Sequence, residues 1–221
     1  MRTHPVFLRL EGRRCVVLGG DVAAAGKAIA CQRAGAAVTI VAPELTPELA
    51  AAVAAGRLHH VARPYRDGDL SGVLLCYAST RDSALIGRLR AEAERERVLL
   101  NVIDTPEVSG FVSPAVVERG ELQIAIGTGG ASPGLAARLK RELEAWLGPE
   151  YGPFVSILGA VRRVLATDSA RRTGVLGELL ASPLLDLVRE RRRDEIDALL
   201  ARIAGDDLTL DGLGVALEER P

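Results

Sequence analysis

The amino-acid sequence predicts an α/β protein: a doubly wound parallel sheet, then a small α+β region, then a helical C-terminal domain. Three observations predict it. Short apolar runs alternate with helix-patterned segments through the first hundred residues. No two of those early runs are joined by a hairpin-length turn, and beyond residue 151 the chain reads only as helices broken by Gly, Pro and Asp. Strands alternating with helices need crossover connections, which pack right-handed onto a parallel sheet.

The elements follow in order. Cys15-Val16-Val17-Leu18 reads as a buried strand closed by the turn Gly19-Gly20. Residues 22–33 are Ala-rich with helical spacing, and Gly35 closes them. Residues 38–41 form a second strand stopped by Pro43, and a helix over 45–55 ends at Gly56. Strands are expected over 58–63 and 73–78, a helix over 82–97 and a fifth strand over 98–103. This is a Rossmann-like arrangement. The pattern then changes: residues 111–113 and 116–118 are β-like, and Arg119-Gly120-Glu121 reads as a hairpin turn into a strand over 122–126. A Gly-rich loop over 127–130 leads to Ser132-Pro133, an N-cap and first-turn proline that open a helix to about Trp146. Boundaries near Ser113 and Gly148 divide the chain into residues 1–112, 113–148 and 149–221.

Composition bounds the function. The 221 residues are 48% hydrophobic, ample for one core and a smaller appendage. Aromatics are only 3%, so the core is built from Ala, Val and Leu and offers no stacking platform for single-stranded nucleic acid. The 28 basic and 29 acidic residues nearly cancel, leaving no global field for DNA or an anionic membrane. The arginine-rich stretch 189–193 lies in an acidic surround and reads as a solvated helix face. Cys15, Cys31 and Cys76 are widely spaced, which argues against a disulfide framework or a structural zinc site. With no signal-peptide core and no membrane-length apolar run, a soluble cytoplasmic protein is expected, and no metal ligands are assigned.

A strand, a Gly-rich turn and a helix form a ready anion site, because the helix N-terminus presents free N–H groups and glycine lets a phosphate approach the backbone. Here the turn reads Gly19-Gly20-Asp21-Val22-Ala23-Ala24. Asp21 stands where a middle glycine would; it either faces the ligand or caps the helix. Glu44, just after Pro43, is at the spacing of an acid for an adenosine ribose, and no arginine nearby could meet a 2′-phosphate, which favours NAD over NADP. Ligands of open parallel sheets lie beyond the strand carboxyl ends. Those ends carry Ser79-Thr80-Arg81 and Asn101-Val102-Ile103-Asp104. Asp104 stands where a nicotinamide or substrate would sit; its other reading is a turn residue. Asn101 could serve a carboxamide or loop backbone. His59 and His60 are neighbours in one strand, so they point to opposite faces and cannot share a site.

These residues resemble the precorrin-2 dehydrogenase family, meaning stand-alone enzymes and the N-terminal module of multifunctional siroheme synthases. The match runs through Pro5-Val6-Phe7-Leu8, Gly12-Arg13-Arg14-Cys15-Val16-Val17-Leu18-Gly19-Gly20, Asp21-Val22-Ala23 and Lys27. It continues through Ala78-Ser79-Thr80, Asn101-Val102-Ile103-Asp104, Phe111-Val112-Ser113-Pro114, Arg119-Gly120-Glu121-Leu122 and Thr128-Gly129-Gly130-Ala131-Ser132-Pro133. This chain has one glycine fewer in the first turn than the family pattern. The resemblance implies NAD-dependent oxidation of precorrin-2 to sirohydrochlorin, in some members also insertion of ferrous iron (or Co²⁺) as a substrate, and a homodimer formed through the region after the Rossmann domain. It implies Asp104 as the catalytic residue, and it aligns Thr128 with a loop serine that can be phosphorylated in the multifunctional enzymes. In this reading Gly19, Gly20, Asp21, Val22, Ala23, Pro43, Glu44, Thr80, Asn101 and Val102 hold the cofactor. Arg81, Arg119, Thr128, Gly129, Gly130, Ser132 and Arg138 meet the carboxylates of the tetrapyrrole. Asp104 would be a general base if burial raised its pKa. Two other readings remain: a chelatase or tetrapyrrole carrier without redox activity, and a nucleotide-sensing regulatory module signalling through its helical tail.

Overall fold

A computed structural model describes residues 2–205 and 207–217. The chain divides into two compact units, Met1–Ser113 and Pro114–Pro221. The first holds strands β1 (Arg14–Leu18), β2 (Ala37–Val41), β3 (His59–Val61), β4 (Leu75–Ala78) and β5 (Leu99–Val102), with helices α1 (Val22–Arg33), α2 (Pro47–Ala54) and α3 (Ser83–Glu96). All pairings are parallel, in the order β3-β2-β1-β4-β5. The strand order therefore reverses between β1 and β4, which opens the crevice where doubly wound sheets take ligands.

Alternation along β1 explains the layering. Cys15 and Val17 point into one apolar layer with α1, while Val16 and Leu18 point into the other with Leu89 and Ala93 of α3. The buried stripe of α1 is Ala24, Ala25, Ala28 and Cys31, small side chains that let the helix lie close on the sheet. Asp82 caps α3 through the N–H groups of Ala84 and Leu85. The expected helix 45–55 is shorter, because Thr46 serves as N-cap and Pro47 as the first helical residue. Strand 58–63 contracts to His59–Val61, where the chain turns back as Arg63 N–H donates to the Val61 carbonyl. Residues 111–113 form no strand. Gly110 N–H instead donates to the Leu100 carbonyl at 2.8 Å, bringing the segment back along β5. The sequence reading also missed Glu92, which is 2% exposed and fully occupied. It accepts from Gly68 N–H at 2.9 Å, Leu70 N–H at 3.1 Å and the Tyr65 hydroxyl, and so ties the β3–β4 connection to α3.

The second unit begins with the antiparallel hairpin β6 (Ala115–Arg119) and β7 (Leu122–Ile126), followed by α4 (Pro133–Trp146). Helices α5 (Tyr151–Val164), α6 (Ser169–Ala181), α7 (Leu184–Glu190) and α8 (Arg193–Ala204) complete it. Their core centres on Ile157, Val161, Leu179, Leu184, Ile196 and Leu200. The hairpin packs on both α4 and α5. At its turn Gly120 has φ +59°, and a Cβ there would lie 3.1 Å from the Gly152 Cα at the start of α5. Paired glycines thus let the turn and the helix approach backbone to backbone. The 189–193 arginines form surface ion pairs, Arg189 with Asp186 and Glu150, Arg192 with Glu190 and Glu195, Arg193 with Asp211. Among the described residues no helix is long and apolar enough to cross a membrane.

Candidate functional site

The carboxyl ends of β1, β2, β4 and β5 bring the predicted cofactor residues of the first unit together. Gly19 adopts φ +109°, a conformation that strains any residue with a Cβ. Gly20 is needed for space: a Cβ on it would lie 1.8 Å from the Glu44 carbonyl oxygen. Thr46 N–H donates to the Gly20 carbonyl at 2.9 Å, so the β1–α1 turn is pressed against the β2–α2 loop, where Pro43 and Glu44 are exposed. Asp21 caps α1, its Oδ1 accepting from Ala24 N–H at 2.8 Å. Its Oδ2 accepts from the Ser79 hydroxyl at 2.6 Å, which ties the turn after β1 to the end of β4 across the crevice. Burial pushes the Asp21 carboxyl up, but the bonds from Ser79, Ala24 and Ala23 outweigh it and hold it below the usual carboxylate range. Beside it Val22 is 78% exposed and Ala23 is exposed, an apolar rim on the crevice.

At the end of β4, Thr80 Oγ1 accepts from Asp82 N–H at 3.2 Å, and Arg81 is exposed. At the end of β5, Asn101 is 8% exposed and donates to the Phe111 carbonyl at 2.8 Å, the loop-backbone alternative of its two readings. The Val102 N–H donates to Ser109 Oγ at 2.9 Å, and that hydroxyl lies 2.9 Å from the Thr105 carbonyl. These bonds fold residues 102–110 into a tight turn with Asp104 at its apex in the left-handed region, φ +60°. Asp104 is exposed. The expectation of a buried carboxyl is therefore corrected: an apex position in a turn faces solvent.

One cation of this site was read only through the resemblance. Lys27, half-buried on α1, places its ammonium 5.4 Å from the centre of the Tyr77 ring. Burial holds it below the ordinary lysine range, while the Asp104 carboxylate pulls the other way. Tyr77 is itself held, its hydroxyl 3.1 Å from Ser113 Oγ and its ring edge-on to Phe111. No sequence periodicity announces this cluster, since its members come from a helix, a strand and a loop.

The other candidates lie in the second unit. Arg119 donates through Nε to the Leu147 carbonyl at 2.7 Å and through Nη2 to the Glu144 carbonyl at 2.8 Å, closing the C-terminal end of α4. Arg138 pairs with Glu142 one turn on, exposed. Thr128 Oγ1 accepts from Ser132 N–H at 3.2 Å and lies 3.1 Å from the Ser132 carbonyl, closing the loop over Gly129 and Gly130, both with positive φ. Ser132 caps α4 through Leu135 N–H. His60 Nε2 lies 2.9 Å from the Ala42 carbonyl while His59 is exposed, so the two do not converge. Among the described residues no group of three or more His, Cys, Asp and Glu could hold a metal ion. In the first unit, a shallow depression of about 450 Å³ with Arg14, Arg57 and His59 in its wall sits at the amino ends of the strands, opposite the strand ends that carry Gly19, Thr80 and Asp104.

Comparison with known proteins places this geometry. Residues 6–115 match a family described as "Putative NAD(P)-binding", and residues 119–145 match "Sirohaem biosynthesis protein central". The siroheme synthase of Methylobacillus flagellatus is 35% identical over 193 residues, covering 82% of this chain and 41% of that protein. The siroheme synthase of Thioalkalivibrio sulfidiphilus is 34% identical over 226 residues, covering 97% of this chain and 46% of that protein. The chain belongs to the siroheme synthase family. It spans less than half the length of these curated relatives. Among solved structures, "SirC, precorrin-2 dehydrogenase" superposes with a TM-score of 0.70 at 26% identity, over 91% of this chain and 98% of that one. Membership in the family accounts for the order of modules, an NAD(P)-binding sheet before the hairpin and α4.

Proposed function

We propose that this chain is an NAD-dependent dehydrogenase that oxidises precorrin-2 to sirohydrochlorin in siroheme biosynthesis. The observation that carries the reading is the likeness to a precorrin-2 dehydrogenase over nearly its whole length, on a sheet whose strand ends gather Gly19, Gly20, Glu44, Thr80, Asn101 and Asp104. The residues present suit a dinucleotide. Gly19 frees the backbone at the β1 end, Val22 and Ala23 offer an exposed apolar rim, and Glu44 stands at the β2 loop for the adenosine ribose hydroxyls. The pyrophosphate is left the N–H groups ahead of Ala23, since those of Ala23 and Ala24 turn to Asp21.

Bound NAD⁺ supplies the hydride acceptor. Precorrin-2 loses a hydride and a proton, giving sirohydrochlorin, NADH and H⁺, and Asp104 accepts the proton. Exposure suits that step in one respect, since the proton passes from Asp104 to solvent. Arg81, Arg138 and the Thr128, Gly129, Gly130 and Ser132 loop meet substrate carboxylates in this reading. Arg119 joins them only by leaving the carbonyls that end α4. Residues 1–112 act as the NAD-binding domain, 113–148 as the dimerisation region of a homodimer and 149–221 as the helical domain. The two-stranded β6–β7 sheet, with outer edges unpaired among the described residues, supports a partner there. Three free, buried cysteines agree with a cytoplasmic setting. The alternative reading of the same site is a chelatase that inserts Fe²⁺ or Co²⁺ into sirohydrochlorin, the metal entering as substrate, or a tetrapyrrole carrier without redox activity.

The test is incubation of the purified chain with precorrin-2 and NAD⁺, followed by an absorbance scan. Appearance of sirohydrochlorin with equimolar NADH is expected. Tetrapyrrole binding without NADH formation would leave the carrier or chelatase reading, which Fe²⁺ or Co²⁺ insertion above the spontaneous rate then identifies.

A further inference from the structure

Lys27 differs from the other cations of the first unit. It sits on the second turn of α1, half-buried, and its ammonium makes no hydrogen bond or salt bridge among the described residues. An ammonium carries three donors, and withdrawing them from water without a partner is costly. The Tyr77 face, 5.4 Å from Nζ, compensates part of that charge but accepts no conventional hydrogen bond. The Tyr77 ring is braced by Phe111 and by Ser113, so the ammonium has a fixed rest. Its position is past the α1 N-terminus that a pyrophosphate would use, on the side of β4 and β5, within electrostatic reach of Asp104. The burial that depresses its proton affinity is offset once an anion arrives. Arg119 and Arg138, by contrast, already have partners.

We propose that Lys27 receives a carboxylate of the tetrapyrrole substrate beside Asp104. The inference rests on the dehydrogenase reading for its ligand. It makes Lys27 a substrate-binding residue that presents the macrocycle edge to the proton acceptor.

The experiment titrates the full-length chain with sirohydrochlorin, the octa-acidic product, following its absorbance, and in parallel with NAD⁺. Wild type, K27M, K27Q and K27R are compared. Loss of one charge-assisted contact should weaken sirohydrochlorin binding about tenfold in K27M and K27Q. K27R should recover most of it, and NAD⁺ affinity should stay within about twofold throughout, since the same contact is absent from that ligand. In turnover, KM for precorrin-2 should rise by a similar factor while kcat is kept. Unchanged sirohydrochlorin affinity in folded K27M or K27Q overturns the proposal, as does a loss confined to NAD⁺. A wild-type chain that binds sirohydrochlorin yet makes no NADH from precorrin-2 sinks the dehydrogenase reading instead, and the titration still decides Lys27.

Discussion

The sheet unit, Met1–Ser113, holds the polar groups at its strand ends in defined hydrogen bonds, whereas the helical part of the second unit surrounds an apolar core with exposed ion pairs. Asp21, Ser79, Asn101 and Ser109 each bond backbone or a neighbour across a strand end. Arg192 and Arg193 only exchange charge at the surface, where such pairs contribute little. The contrast follows from backbone chemistry. A parallel strand that ends in a crevice leaves N–H and C=O groups that need partners, and the same groups can serve a ligand. A helix satisfies its own backbone, so its sequence needs little beyond apolar spacing.

The largest effect should come from the strand-end side. Asp104→Ala should lower precorrin-2 oxidation by about 10²- to 10⁴-fold, with NAD⁺ and tetrapyrrole binding retained; unchanged turnover removes Asp104 as the proton acceptor. Next comes packing. Gly20→Ala drives a Cβ onto the Glu44 carbonyl and should destabilise the sheet unit by about 3 kcal/mol. Gly120→Ala, in the second unit, meets only a tight contact at φ +59° and should cost about 1–2 kcal/mol. Denaturant titration of both variants checks the order, and a reversed order would mean the β1–α1 turn yields more easily than the hairpin does.

The smallest effect is the cap. Asp21→Ala should cost about 1 kcal/mol at neutral pH. The Asp21 carboxyl lies below its ordinary value in the folded chain, so its contribution is complete above about pH 3.9. It is lost as the pH falls through the lower folded value. Wild type and Asp21→Ala should therefore converge in stability under acid, as measured by unfolding at neutral pH and near pH 2. A gap of constant size would show that the charge of Asp21 is not what caps α1.

Much of this is legible in the sequence alone. Helix α4 was readable from Ser132-Pro133 to Trp146, and α1 from its alanine spacing, because caps and periodicity are local. Strand ends were less so: His59–Val61 is three residues long, and residues 111–113 pair with nothing as a strand. Hydrogen bonds from Gly110 and Asn101 decide that path, and these bonds join residues ten apart. In the candidate site, Gly19, Gly20, Glu44 and Asp104 were named from spacing. The commitment of Asn101 to Phe111, of Asp21 to Ser79 and of Arg119 to the end of α4 was not.

The sequence by itself determined the order of strands and helices, the Gly-rich turn and the motifs of the family, since each is written in neighbouring residues. Tertiary structure decided that Asp104 is exposed at the apex of a turn, that Glu92 is buried and bonded, and that Lys27 rests on Tyr77. Burial and pairing of a charge depend on which distant elements meet it, and the crossovers of a parallel sheet bring residues together that lie fifty or more positions apart.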